Sequence, residues 1–158
     1  MDYLRSKGGA ALGARLRRLS ETIDADTARI YAGQGVAFEQ RWFGVLNQLV
    51  QGGPATVGAI AAALRITHAS VSQTRRSLEA AGLVASEPDL ADGRRRRLLL
   101  TPQGKDLATR LQPLWQTFEA VSEELNAEAG DVVALLDRLD AALAECSLFE
   151  RIRARLAP

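Results

Sequence analysis

Residues 55–101 read ATVGAIAAALRITHASVSQTRRSLEAAGLVASEPDLADGRRRRLLLT, and their pattern decides the fold. Val57, Ile60, Ala61 and Leu64 recur at three- and four-residue steps, the spacing of one apolar face on a short helix. Thr67 stands where an N-cap belongs, its hydroxyl placed to accept from an orphan amide of the next helix. That second helix is predicted over about 68–81 and closes at Gly82, a residue suited to a left-handed C-cap. Val71, Leu78 and Ala81 face its core side, with Thr74 or Arg75 filling the turn between. His68, Ser70, Ser72, Gln73, Arg76 and Ser77 are left outward. That face is small, polar and cationic toward its end, and its one carboxylate is Glu79. Small side chains permit close approach to a nucleic-acid groove, and Gln and Arg can reach base edges. These are the features of a recognition helix.

A hairpin follows. Residues 83–88 read as a strand, 89–93 as a turn and 97–100 as a return strand, with Arg94, Arg95, Arg96 and Arg97 at the tip. Thr101-Pro102 then opens a helix, Thr as N-cap and Pro at the first helical position. Helix, turn, helix, two-stranded wing, helix is the order of a winged helix-turn-helix. Three linked signatures, Gly82-Leu83-Val84, Asp92-Gly93-Arg94 and Leu100-Thr101-Pro102-Gln103-Gly104, resemble the MarR family of dimeric transcription regulators at the family's spacing. The resemblance is close over 41–111 and architectural elsewhere. It implies that Ala55 and Thr56 add a short third strand to the wing sheet. It implies further that Arg94 is the wing-tip arginine entering a minor groove and that Asp92 steadies the tip.

Composition allows this architecture. The 158 residues are 47% apolar and 25% charged, enough for a packed core and far from a disordered chain. Net charge is only +1, but its distribution is uneven. Residues 1–54 hold seven basic and five acidic side chains, 55–105 eight and four, and 106–158 five and ten. Positive charge therefore gathers on the winged segment. The single cysteine, Cys146, leaves no internal disulfide and fits a reducing cytoplasm. The first residues lack the apolar core of a signal peptide, and no run of about 18 apolar residues exists, so a soluble cytoplasmic chain without membrane contact is expected.

Outside the winged segment, residues 1–9 are expected to fray. A helix from about Ala10 to Ala32 carries Leu12, Leu16, Leu19, Ile23, Thr27 and Ile30 on one stripe and is broken by Gly33-Gln34-Gly35. A second, from about Glu39, carries Trp42, Val45, Leu46 and Leu49. From Pro102 a long helix presents Leu107, Leu111, Leu114, Phe118, Val121 and Leu125, with Pro113 inside it to bend it or break one hydrogen bond. A last helix shows Val132, Leu136, Leu139, Leu143, Cys146, Phe149, Ile152 and Leu156 along one face. These stripes have no sheet to cover, and a two-fold homodimer accounts for them economically. The expected fold is mainly α with a small β-wing: a winged helix-turn-helix plus a helical dimerisation layer. The expected division is 1–35, an N-terminal dimerisation helix; 36–105, the winged DNA-binding region; and 106–158, C-terminal dimerisation helices. Each winged module of a dimer would meet one half-site of a pseudo-palindromic operator in double-stranded DNA, roughly 10 bp apart.

Gln73 and Arg76 are the candidates for base-edge contacts, set against an ordinary exposed helix face. Thr67, Ser70 and Ser72 suit phosphate oxygens, and a helix cap is an equally good role for Thr67. His68 begins the helix and, as the only histidine, has no companions for a metal site; its protonation would add charge near phosphate. Arg95 and Arg96 would track phosphates along the wing, whereas Arg75 lies toward the core side and could pair with a neighbouring acid. Tyr31, Phe38, Trp42, Phe43, Trp115 and Phe118 are ordinary core rings or, as the resemblance implies, line a cleft that takes a small aromatic effector and releases DNA. Cys146 fits buried packing on an apolar face; a redox role is the weaker reading, because the oxidant-sensing relatives place their cysteine near the N-terminal helix. One His, one Cys, no Gly-rich phosphate loop and no paired metal ligands leave no catalytic constellation, cofactor or metal, and Glu123 and Glu124 are helix neighbours that point apart. The function expected is a MarR-type regulator, most often a repressor in that family. The alternative is a winged-helix interaction and dimerisation module that has lost DNA binding.

Overall fold

The computed structural model describes residues 2–89 and 95–156. In chain order the elements are α1 (Tyr3–Ser6), a 3-10 turn (Gly8–Ala11), α2 (Leu12–Gly33), α3 (Trp42–Gly52), β1 (Ala55–Thr56), α4 (Val57–Leu64), α5 (His68–Ala80), β2 (Val84–Pro88), β3 (Arg96–Leu100), α6 (Pro102–Glu128), α7 (Val132–Glu145) and α8 (Leu148–Leu156). The chain divides into two compact units, one up to Thr109 and one from Arg110, the boundary falling inside α6.

The first unit is a winged helix. Its core is built from Val45, Leu46 and Leu49 of α3, Ile60 and Ala61 of α4, Val71, Thr74 and Leu78 of α5, Leu83, Val84, Leu98, and Leu107 and Ala108 of α6. Each fully buried aliphatic side chain there contributes about 1.5–3 kcal/mol. Three antiparallel strands lie in the order β1-β3-β2, with Ala55 opposite Leu98 and Glu87 opposite Arg97. Leu98, on the central strand, is fully buried. The short third strand expected from Ala55 and Thr56 is present.

Local chemistry sets the joints. Thr56 caps α4 by accepting from Ala59 N at 3.1 Å, and Thr67 caps α5 by accepting from Ser70 N at 3.1 Å. Between them Arg65 takes the left-handed conformation (φ 53°), which closes α4 and makes the turn tight. Past α5, Gly82 has φ 72°, and Leu83 N donates back to Leu78 O at 3.0 Å, a Schellman closure. The exit of α5 is then locked to the entry of α6. Thr101 Oγ1 donates to Gly82 O at 2.7 Å and accepts from Gly104 N at 3.0 Å, while Thr101 N donates to Leu83 O at 3.1 Å. Gly104 is required there: a Cβ would sit 2.0 Å from the Leu83 carbonyl oxygen.

Three expectations are corrected. Residues 3–6 form a helix instead of fraying, because Asp2 caps Leu4 N at 3.0 Å and pairs with Arg18 of α2 at 2.8 Å. That guanidinium holds the Asp2 carboxyl down at about 2. The helix expected from Glu39 begins at Trp42, because residues 39–41 make a turn whose side chains reach α5. The single last helix is two. Cys146 is extended, Arg151 donates to the carbonyls of Ala142 (2.7 Å) and Cys146 (2.8 Å), and Ser147 opens α8. Ser147 N donates to Glu150 Oε2 at 2.8 Å and Glu150 N to Ser147 Oγ at 3.2 Å, a reciprocal capping box.

In the second unit α7 starts at Asp131, whose carboxylate accepts from Ala134 N at 3.2 Å. Pro113 lies inside an unbroken α6, where its missing N–H costs the helix one bond. Apolar stripes are left open in both units. Leu16, Leu19, Ile23 (56% exposed) and Ile30 of α2 face outward, as do Val121, Leu125, Leu136, Leu143 and Phe149 (71% exposed) of the second unit. Among the described residues no helix is long and apolar enough to cross a membrane.

Candidate nucleic-acid interface

Two faces of α5 differ sharply. Val71, Thr74 and Leu78 are buried, while His68, Ser70, Gln73 and Arg76 are exposed and Ser72 is half-buried. Thr74, not Arg75, fills the core-side turn. Arg75 is half-buried and pairs with Glu79 at 3.5 Å, and its Nε is enclosed without a hydrogen-bond partner. Glu79 also accepts from Ser86 Oγ, so the one carboxylate of the helix is spent on structure. At the other end Thr67 Oγ1 lies 2.9 Å from Ser70 Oγ. The two hydroxyls lie together at the start of the helix, where backbone amides and the helix dipole favour an anion. The His68 ring lies over Gly58 of α4; a Cβ there would meet His68 Cε1 at 3.2 Å.

Ser77 is a correction. Expected outward, it is half-buried and faces protein, accepting from Trp42 Nε1 at 3.0 Å and donating to Glu39 Oε1 at 3.0 Å. Arg41 pairs with Glu39 and holds that carboxyl below its ordinary range, with a smaller contribution from the Ser77 hydroxyl. Glu39 and Arg41 carried no local signal. They come to α5 from 38 and 36 residues away, which no helical or strand period reports.

On the wing, Asp92 and Arg94 lie outside the described residues. Arg95 and Arg96 are exposed. Arg95 O accepts from Asp89 N at 2.9 Å, and Arg96 Nη2 donates to Ser86 O at 2.6 Å. Arg97 is not part of an unbalanced run: its Nε meets Glu87 Oε1 at 2.6 Å across the strand pair, so its charge is locally compensated. Of the four adjacent arginines, Arg97 is therefore one whose charge is already balanced within the sheet.

The rings form a buried cluster in the first unit. Tyr31 and Phe38 are 4.4 Å apart between centroids, and Phe38 meets Trp42 edge-on at 5.6 Å. All three are buried, Tyr31 to 1% exposure, and Phe43 is half-buried beside them in sequence. Trp115 and Phe118 belong to the second unit and are half-buried. Cys146, half-buried, occupies the break between α7 and α8, not a helix face.

Comparison with known proteins bears on this geometry. Residues 35–95 match the model described as the MarR family. Among solved structures, BpsR of Bordetella bronchiseptica, described for the regulation of its DNA binding by 6-hydroxynicotinic acid, is 26% identical with a TM-score of 0.66, over 81% of this chain and 91% of its own. NMB1585, a MarR family regulator from Neisseria meningitidis, is 27% identical with a TM-score of 0.59, over 99% of this chain and 100% of its own. MepR of S. aureus, solved as a DNA complex, shares the fold at 21% identity and a TM-score of 0.68, over 84% of this chain and 97% of its own. A search of curated protein sequences finds no match.

Proposed function

We propose that this chain, whose winged segment is that of the MarR family, is a homodimeric, sequence-specific DNA-binding transcription regulator that acts as a repressor. The observation that carries this reading is the exposed face of α5, where Gln73 and Arg76 project opposite the buried Val71, Thr74 and Leu78. Arg offers a bidentate donor pair to guanine O6 and N7, and Gln matches adenine N6 and N7. Thr67, His68, Ser70 and Ser72 then face the sugar-phosphate edge at the start of the helix, where such contacts fix register. The wing over 89–97 reaches the adjacent minor groove with Arg94 at its tip, steadied by Asp92, and Arg95 and Arg96 meet phosphates.

The open stripes on α2, α6, α7 and α8 support the dimer. Single exposed apolar residues are ordinary, but rows of Leu, Ile and Phe at helical spacing are a surface awaiting a partner. In the proposed organisation residues 1–35 and 106–158 supply that interface and 36–105 the DNA-binding heads. Two heads related by a two-fold axis read a pseudo-palindrome with half-sites about one helical turn apart. Tyr31, Phe38, Trp42, Phe43 and Trp115 are the candidates for response to a small aromatic effector that would release DNA. The regulation of BpsR by 6-hydroxynicotinic acid supports an effector of that size and kind.

Selection of bound fragments from genomic DNA, followed by affinity measurement across a salt series, tests the reading. One duplex should be enriched, and log affinity should fall linearly with log salt, as released counterions require. Enrichment of no sequence, or binding indifferent to salt, would leave an interaction module in its place.

A further inference from the structure

One hydroxyl ties α5 to the segment that precedes α3. Ser77 Oγ accepts from Trp42 Nε1 at 3.0 Å and from Arg41 Nη2 at 3.3 Å, and it donates to Glu39 Oε1 at 3.0 Å. A hydroxyl has one proton and two lone pairs, so these three contacts use all of them. Ser77 therefore has nothing left for a phosphate or a base. Yet helical spacing puts it one turn beyond Gln73, on the row that also holds Ser70. Its indole partner meets Phe38 edge-on, and Phe38 lies tilted against Tyr31. An unbroken line of contacts thus runs from the buried rings to the row of α5 that carries Gln73.

We propose that Ser77 is a positioning residue for DNA recognition, which touches no nucleotide and sets the roll of α5 by tying it to the ring cluster through Trp42 Nε1. This inference rests on the role proposed above for α5. A side-chain tip about 5–6 Å from a helix axis moves about 1 Å for a roll of about 10°. Such a shift takes a guanidinium out of hydrogen-bonding range of a base edge. Any repacking of Tyr31, Phe38 and Trp42 reaches Gln73 and Arg76 through the same bond.

The test compares the full chain with Ser77→Ala, Ser77→Thr, Trp42→Phe and the double variant Ser77→Ala/Trp42→Phe, on a duplex selected by the wild type, across a salt series. Trp42→Phe should weaken binding roughly fivefold, the equivalent of one neutral hydrogen bond, and Ser77→Ala, which also loses the contacts to Glu39 and Arg41, at least as much. The double variant should be no weaker than the worse single one, because both changes remove the same bond. Ser77→Thr, which keeps the hydroxyl, should stay within about twofold, and the salt slope should not change, because no phosphate contact is lost. An independent readout is the indole proton of Trp42, identified by its loss in Trp42→Phe; it should exchange slowly in the wild type and faster in Ser77→Ala. Additive losses overturn the tether, as does a salt slope reduced by about one, which would make Ser77 a phosphate ligand. A wild type that selects no duplex overturns the DNA reading together with the tether. A wild type that binds while Ser77→Ala binds equally well overturns the tether alone.

Discussion

Replacing Gly104 by Ala should unfasten the joint between α5 and α6. The added Cβ would lie 2.0 Å from the Leu83 carbonyl oxygen and 3.0 Å from its carbon, and the obstacle is backbone, which cannot swing aside like a side-chain end. Relief needs a shift of about 1 Å, judged by ordinary van der Waals spacing. The Leu83 carbonyl holds Thr101 N, and Thr101 Oγ1 holds both Gly82 O and Gly104 N, so the shift disrupts two hydrogen bonds and a helix cap. At about 1 kcal/mol each that is about 3 kcal/mol. The better helix propensity of Ala returns a little under 1 kcal/mol, leaving a net loss of about 2 kcal/mol. Gly13→Ala is the matched control. Gly13 lies in α2 with nothing within 4 Å of an added Cβ, so the same chemical change should stabilise by about 0.5–1 kcal/mol. Urea unfolding of both variants and the wild type, at one fixed protein concentration because a dimer's stability depends on it, gives the comparison. The reasoning fails if Gly104→Ala unfolds within about 0.5 kcal/mol of the wild type, or if the two variants shift in the same direction.

Arg76→Ala should weaken binding to the selected duplex by about 1–3 kcal/mol and relax preference at one base position per half-site, read by competition with single-base variants. Arg95→Ala should weaken binding to all sequences alike and lower the salt slope by about one. Because the Arg41 guanidinium, and less so Ser77, lowers the Glu39 carboxyl below 4.5, this group's contribution is present above pH 4.5 and lost as pH falls through the lower folded value. The stability difference between wild type and Glu39→Gln should therefore shrink on acidification from neutrality, measured by urea midpoints at several pH values. Ser147→Ala removes one half of the capping box on α8 and should cost about 1 kcal/mol, with helicity lost from α8 in preference to α7 by amide exchange.

Elements marked by local chemistry were legible from the chain. Thr67 and Thr101 announce helix starts because a cap is decided by a residue and the amides two or three positions on, while Thr56, read only as strand, proves to cap α4 as well. Gly82 announces the end of α5 for the same reason, whereas the close approach at Gly104 is to Leu83, 21 residues earlier, and left no local signal. The outward set on α5 followed from a period of 3.6, and it held for His68, Ser70, Gln73 and Arg76. It failed at Ser77, where a partner 35 residues earlier, Trp42, overrides the phase of the helix. Arg97 misled for a related reason. Its balancing acid, Glu87, is a neighbour only once the strand register is fixed, and the register depends on where the loop between the strands ends. The split at Cys146 was available in principle: Ser147-Leu148-Phe149-Glu150 is a capping-box pattern, but an uninterrupted apolar stripe across it outweighed the signal. What the rings bind was not legible at all, since Tyr31, Phe38 and Trp42 would pack together whether or not a ligand ever joins them.

The most direct measurement is methylation interference at guanine N7 on the selected duplex, with wild type and Arg76→Ala side by side. If the exposed face of α5 lies in the major groove with Arg76 on a guanine, methylation of one guanine in each half-site blocks the wild type and ceases to matter for Arg76→Ala. Identical interference patterns for the two proteins, or a wild type indifferent to methylation anywhere in the site, would contradict the account.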